Sequence, residues 1–291
     1  MHNTPHTYTR TKQRTLQRSV SISGVGVFTG EKTTLRLCPA EADTGILFQR
    51  LDLPHKPFLP ATLDHVQGTP RCTMIGIQGV LVQTVEHLLS ALKAYQIDNV
   101  LIEIRGPEVP ILDGSARGFV ELIEQAGVCV LGEERTQGKL EAPVFWSQKE
   151  THLVAIPSDE YRVSYTLHYP HSDFIGSQFY SIVVDETRYK EEIASSRTFS
   201  LYEDVAPLIE KGFLKGGSFE SGILIKDNAV ANPGGLRFKD EMVRHKVLDL
   251  IGDLSLMAIS FSAHIIAIRS GHTSNIAFAK ELAKYIKMEN A

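Results

Sequence analysis

The order helix, strand, glycine-containing loop, helix occurs twice in this chain, once in each half. In the first half an amphipathic helix over about Thr84–Tyr95 leads to a β-rich strand, Val100–Ile104. A Gly/Pro loop follows, and Asp113-Gly-Ser115 starts a helix that ends near Gly127. In the second half a long helix over about Lys239–Ile259 leads to the strand His264–Ile268, the loop Gly271-His-Thr-Ser-Asn275 and a final helix from Ile276. Each helix has one apolar stripe that must be buried against another layer. The repeated order predicts an α+β protein of two related domains, each a β-sheet layered against α-helices. The length of 291 residues suits two domains of roughly 100–200 residues each. The polar, glycine-flanked stretch Gly132–Gly138 is the expected linker, giving domains 1–132 and 138–291. β-rich segments at Val20–Val27 and Thr33–Leu37 open the chain, with Gly24, Gly26 and Gly30 marking the turn between them.

Composition removes several classes. With 30 Lys+Arg against 34 Asp+Glu, the formal charge of −4 offers no general attraction to nucleic acid or to an anionic membrane. Cys38, Cys72 and Cys129 are odd in number and far apart, so neither a disulfide framework nor a cysteine-rich zinc knuckle is expected. Arg10, Lys12, Arg14 and Arg18 have no apolar stretch behind them, unlike a signal peptide. The longest uncharged run, Leu254–Ile268, has 15 residues, short of the about 20 that a span needs. A cytoplasmic protein without stable membrane insertion is the expectation. The glycines at 24–30 fail G-x-G-x-x-G because Thr29 holds the last position, and neither G-x-S-x-G nor a phosphate-binding G-x-x-x-x-G-K-[ST] loop occurs.

Four segments carry residues suited to chemistry. On the helix over Lys239–Ile259, Val243, Val247, Leu250, Leu254 and Ala258 share the core face, while His245, Asp249 and Asp253 recur at i, i+4 and i+8 on the opposite side. A solvated helix face explains any one of these. Three in register beside Gly252 and Lys246 keep a metal site open, because His and Asp at i, i+4 can reach one divalent ion. Glu86-His87 interrupts the apolar pattern of Val85, Leu88, Leu89 and Leu92. Glu86 is either an N-terminal-turn carboxylate favoured by the helix dipole or a general base. His87 is either a core histidine or a third ligand, and three ligands, an open position and a nearby carboxylate make a hydrolytic zinc site. His272 is either an exposed loop residue or a proton donor to a leaving amine, with Asp253 holding its other nitrogen. Thr198, in Ser195-Ser-Arg-Thr-Phe199, is either a turn or cap residue or an oxyanion donor.

Together these segments resemble the zinc-dependent UDP-3-O-acyl-N-acetylglucosamine deacetylases of lipid A biosynthesis. The resemblance runs nearly end to end, through Gly24-Val-Gly-Val-Phe-Thr-Gly30, Thr84-Val-Glu-His-Leu88 and Glu108-Val-Pro-Ile-Leu-Asp-Gly-Ser-Ala116. It continues through Arg197-Thr-Phe199, Gly216-Gly-Ser218, Val243-Arg-His-Lys-Val-Leu-Asp-Leu-Ile-Gly-Asp253 and Ser270-Gly-His272. It implies His87, His245 and Asp249 as ligands of one Zn2+, with Fe2+ as the alternative ion in the cell. It implies Glu86 as base toward the attacking water, His272 as acid or electrostatic partner, and Asp253 as the residue that orients His272. Thr198 and Lys246 would support the oxyanion and the polar substrate, and Phe199 would sit beside the sugar. The region of about 198–222 would form part of a passage for the acyl chain.

The implied substrate is UDP-3-O-acyl-N-acetylglucosamine, and the implied products are acetate and the free 2-amine, the committed step of lipid A biosynthesis in a Gram-negative bacterium. A two-domain monomer with the active site between the domains is expected. Two departures stand out: Phe28 holds a place where the family usually has histidine, and the stretch before about Gln13 has no counterpart and is expected to be mobile. Cys72 is left without a role, because the alignment around Cys72-Thr73 is loose. The rival readings are a zinc amidohydrolase acting on another N-acyl sugar and a non-catalytic module that binds a nucleotide sugar or lipid. Binding alone does not require a base beside a metal ligand, which disfavours the second.

Overall fold

The computed structural model describes residues 11–288; the N-terminal residues 1–10, on which most of the expectation of a mobile extension falls, lie outside the described residues. Six helices are present among the described residues: α1 (Glu86–Ala94), α2 (Arg117–Ala126), the one-turn α3 (Glu186–Arg188), α4 (Tyr202–Glu210), α5 (Glu241–Ser255) and α6 (His272–Leu282). They combine with several sheets into an α+β architecture.

In the first half, a five-stranded sheet has the order Val20–Val25, Lys32–Pro39, Val100–Arg105, Ile46–Arg50, Phe58–Pro60. Alternation builds it: Thr33, Leu35 and Leu37 are buried while Lys32, Thr34 and Arg36 face water. The register sets Leu35 opposite Ile104 and Leu37 opposite Ile102, so one face is continuously apolar. In the second half, Ser260–Ile268 is the centre of a seven-stranded sheet. It runs antiparallel to Thr151–Pro157 and parallel to both Arg162–Tyr169 and Gln137–Leu140. Its Phe261, Ala263, Ile265 and Ala267 all point into the core. The expected linker is itself mostly strand: Val128–Glu134 pairs with Lys12–Leu16, and Gln137–Leu140 joins the larger sheet, leaving Arg135 and Thr136 between them.

Helices occupy the middle. α2 packs on Val20–Val25, α5 packs on Arg162–Tyr169, α6 packs on Val144–Gln148 and Thr151–Pro157, and α1 and α5 pack on each other. Buried apolar side chains from both halves form one continuous core. Against α1, α5 is buried nearly all round, with only Arg244 and Lys246 partly accessible. The stripe of His245, Asp249 and Asp253 is therefore enclosed rather than solvated.

At Gly252 the backbone of α5 lies directly against that of α1. A Cβ there would lie 2.1 Å from the carbonyl oxygen of Glu86 and 3.0 Å from its Cα. Both contacts are to backbone, so no rotamer change relieves them. The last helix begins earlier than its apolar pattern suggests, at His272 rather than Ile276. The Ser274 hydroxyl accepts from the N–H of Gly271 and donates to its carbonyl, each at 2.9 Å, which folds the polar loop into a first helical turn. Gly252→Ala should cost about 1–3 kcal/mol in urea unfolding by overpacking, and should reduce activity further by displacing Glu86. Full stability and activity in that variant would show that the helix contact is slack.

Candidate active site

α1 and α5 bring three buried ligand atoms together. His87 lies in the first turn of α1; His245 and Asp249 are one turn apart on α5, and their ligand atoms all fall within 4.8 Å of one another. Asp249 Oδ1 is 3.2 Å from His245 Nε2 and 3.8 Å from His87 Nε2, yet it has no hydrogen-bond partner. The two imidazoles meet edge to face with centroids 5.0 Å apart. His245 Nδ1 faces the carbonyl oxygen of Ser196 at 3.1 Å. A proton donated there leaves the lone pair on Nε2, the nitrogen turned toward the cluster. Asp249 uses its other oxygen to accept from Lys246 Nζ at 2.7 Å.

Electrostatics suit a cation. Burial and the neighbouring His245 press the His87 ring down to about 3, so the imidazole is neutral, the form that ligates. Burial acts to raise Asp249, but His245 and Lys246 overcome it and hold the carboxyl well below its usual range. An orphaned carboxylate oxygen between two imidazole nitrogens fits a divalent metal ion, and two nitrogens with one oxygen are a donor set that zinc or iron(II) accepts.

A second pair of groups stands beside this cluster. Glu86 is buried in the first turn of α1, and burial pushes its carboxyl up to about 7; His272 opposes the shift, while Asp253 and Asp249 add to it. His272, at the N-terminus of α6, aims Nδ1 at Asp253 Oδ2 at 2.9 Å and places Nε2 3.8 Å from Glu86 Oε1. Burial disfavours the charged ring, but Asp253, Glu86 and Asp249 outweigh it and raise His272 to about 10. A carboxyl near neutrality and a protonated imidazole thus face each other across one small space, an arrangement able to take one proton and supply another.

The flank toward solvent is built by the segment 196–204. Thr198 donates its N–H to the carbonyl of Gly114 at 2.8 Å and accepts from the N–H of Ile223 at 2.7 Å. Gly114 has φ 81°, and a Cβ on it would meet the Ser221 carbonyl oxygen at 2.4 Å, so the turn needs glycine. Arg197 and Glu241 form a buried ion pair at 2.8 Å that anchors the same segment to the start of α5. Phe199 stands edge-on to His245 at 6.5 Å, with Lys246 Nζ 5.6 Å from its ring centre. Beyond it lies a cavity of about 550 Å3 lined by Tyr165, His168, Tyr169, Lys246 and Arg269, among others. The stretch after Phe199 exposes Ile209, Phe213 and Phe219. Its Gly216 N–H donates to the carbonyl of Val27 at 3.1 Å, which ties it to the first glycine loop.

A family model described as UDP-3-O-acyl N-acetylglycosamine deacetylase matches residues 13–284. A UDP-3-O-acyl-N-acetylglucosamine deacetylase of Chlamydia pneumoniae is 47% identical over 277 residues, covering 95% of this chain and 98% of the relative. Proteins of the same name from Chlamydia felis and Chlamydia muridarum are 46% and 47% identical, covering 94% and 95% of the chain and 98% and 96% of the relatives. The chain belongs to the UDP-3-O-acyl N-acetylglycosamine deacetylase family.

Within this deacetylase-family site, sequence reasoning missed the buried groups that hold the functional side chains. Thr73 contacts both Glu86 and Asp253, and Asn275 donates to Asp253 Oδ2 at 2.8 Å. Buried Glu108 accepts from the N–H groups of Phe28 and Thr29 and from the Thr84 hydroxyl, and so pins the first glycine loop beside α1. Glu108 stands in a segment that the motifs marked and Thr73 in one where the alignment is loose, and nothing in their spacing says what they touch. Among the described residues, no helix is long and apolar enough to cross a membrane. Asp249→Ala should lose bound metal in elemental analysis. Glu86→Gln should retain metal while losing about 100- to 10,000-fold in turnover; full metal content in the first variant would remove Asp249 as a ligand.

Proposed function

We propose that the protein hydrolyses the N-acetyl group of UDP-3-O-acyl-N-acetylglucosamine with one zinc ion, yielding UDP-3-O-acyl-glucosamine and acetate in lipid A biosynthesis. The observation that carries this reading is the convergence of His87, His245 and Asp249 with Glu86 and the His272–Asp253 pair. Family membership supplies the substrate class.

His87, His245 and Asp249 would hold the ion, which when bound would supply Lewis-acid polarisation of the acetamide carbonyl and make water a better nucleophile near neutral pH. Glu86 takes a proton from the attacking water as its oxygen adds to the carbonyl carbon. Breaking the C–N bond then requires a proton at nitrogen, because an amide anion is a poor leaving group. His272 delivers it, and Asp253 keeps the ring aimed through Nδ1. Lys246 and Thr198 support the oxygen that gains charge and the polar part of the substrate. Phe199 lies beside the sugar. The cavity next to it has a polar lining that includes Lys246 and Arg269 as well as Glu203 and Asp204. The apolar side chains of 198–222 suit the 3-O-acyl chain, whose capture would set the acetamide over the ligand cluster, catalysis by positioning.

In this reading the halves 1–132 and 138–291 are the two domains, with 198–222 as an insert of the second. The protein acts as a cytoplasmic monomer, without nucleic acid and without stable membrane insertion.

Acetate release from the UDP-sugar should stop with a chelator and return with limiting Zn2+. Turnover that ignores complete metal removal would overturn the metal role. A substrate lacking the 3-O-acyl chain should turn over on the order of 100-fold more slowly; equal rates would favour hydrolysis of another N-acyl sugar.

A further inference from the structure

Thr73 is fully buried and lies on neither of the helices that carry the reacting groups. It touches both sides of the proposed proton path. Its backbone N–H donates to Glu86 Oε2 at 3.0 Å, and its hydroxyl donates to Asp253 Oδ1 at 2.5 Å. Each contact uses the carboxylate oxygen turned away from the chemistry. The remaining oxygen of Glu86, Oε1, faces His272 Nε2 at 3.8 Å, and the remaining oxygen of Asp253, Oδ2, meets His272 Nδ1 at 2.9 Å. We propose that Thr73 is a positioning residue for the deacetylation proposed above, one residue that fixes the rotation of both carboxylates and thereby the placement of base and acid.

The physical reason lies in how a carboxylate is oriented. A single contact leaves its plane free to swing about the bond to the adjacent carbon, whereas donors on both oxygens fix it. On Asp253, Oδ2 is shared by His272 and Asn275, so the Thr73 hydroxyl is the only side-chain donor shown to Oδ1 among the described residues. Asp253 has no exposure, so bulk water does not directly contact that oxygen. Loss of the hydroxyl leaves a buried anionic oxygen unpaired, and the carboxylate turns to find another partner. His272 follows, because its Nδ1 is bound to the other oxygen. Serine keeps both the N–H and the hydroxyl. Valine keeps the N–H and nearly the same volume but no donor.

The test compares Thr73→Val and Thr73→Ser with the wild-type full chain, zinc-loaded, on the UDP-sugar substrate. Thr73→Val should lower kcat about 10- to 100-fold, the worth of one hydrogen bond to a charged group, with KM and zinc content unchanged. Thr73→Ser should restore most of kcat. In a His272→Gln background Thr73→Val should lower kcat by less than twofold, because its effect passes through the histidine. An unchanged kcat in Thr73→Val, or the same fold loss with and without His272, overturns the proposal. Should Thr73→Val not be recovered folded, Thr73→Cys, with a weak donor of similar size, takes its place in the same cycle. A wild-type protein that releases no acetate ends the deacetylase reading and this role with it; active wild type with indifferent Thr73 variants ends only the role of Thr73.

Discussion

Two helices from different halves of the chain meet where α5 has no side chain. The backbone of α1 at Glu86 occupies the space in which a Cβ at position 252 would stand. That contact sets the distance between His87 on one helix and His245 with Asp249 on the other. It also sets where Glu86 stands relative to Asp253. A looser crossing would separate the ligand atoms, and a side chain at 252 would force one. The sheets, with their continuous apolar faces, act as the outer walls that press the two helices together.

Enclosing this many ionisable groups is costly unless each has a partner. Isolated charges in a protein interior lose several kcal/mol of hydration. Here Asp249 faces Lys246 and two histidines, Asp253 faces Thr73, Asn275 and His272, and Arg197 faces Glu241. Two buried atoms of the cluster, His87 Nδ1 and Asp249 Oδ1, have no hydrogen-bond partner among the described residues, and the deficit at Asp249 Oδ1 lies between two imidazole nitrogens. A bound cation removes that deficit, so ligand burial and metal affinity have the same physical origin. Burial also shifts the flanking groups: it pushes the Glu86 carboxyl up to about 7, while Asp253, Glu86 and Asp249 outweigh it at His272 and raise that ring.

Much of this was legible in local pattern. Amphipathic periodicity located α1 and α5, the Asp113-Gly-Ser115 start and Gly127 located α2, and the strands expected at Val100–Ile104 and His264–Ile268 extend over Val100–Arg105 and Ser260–Ile268. The i, i+4, i+8 spacing put His245, Asp249 and Asp253 on one face, because helix geometry is local. Whether that face was solvated or enclosed was not legible, since a helix does not reveal what packs against its polar side. The start of α6 was misjudged because Ser274 makes a helical turn out of polar residues that periodicity reads as loop. The polar stretch at 132–138 looked like a linker because it is polar and flanked by glycine, and the pairing of its strands with Lys12–Leu16, Ser260–Ile268 and Ile286–Met288 is invisible at short range.

Residue spacing determined which side chains share a helix face and which motifs open or close an element, because those relations depend on rise and twist per residue alone. It also determined the family, since long motifs stand in order along the chain. Tertiary structure decided the rest. It brought His87 to Asp249 across 162 positions of sequence, turned an apparent surface stripe into a buried cluster, and set Thr73 between Glu86 and Asp253. Those relations depend on how two sheets and two helices pack, and no single segment contains that information.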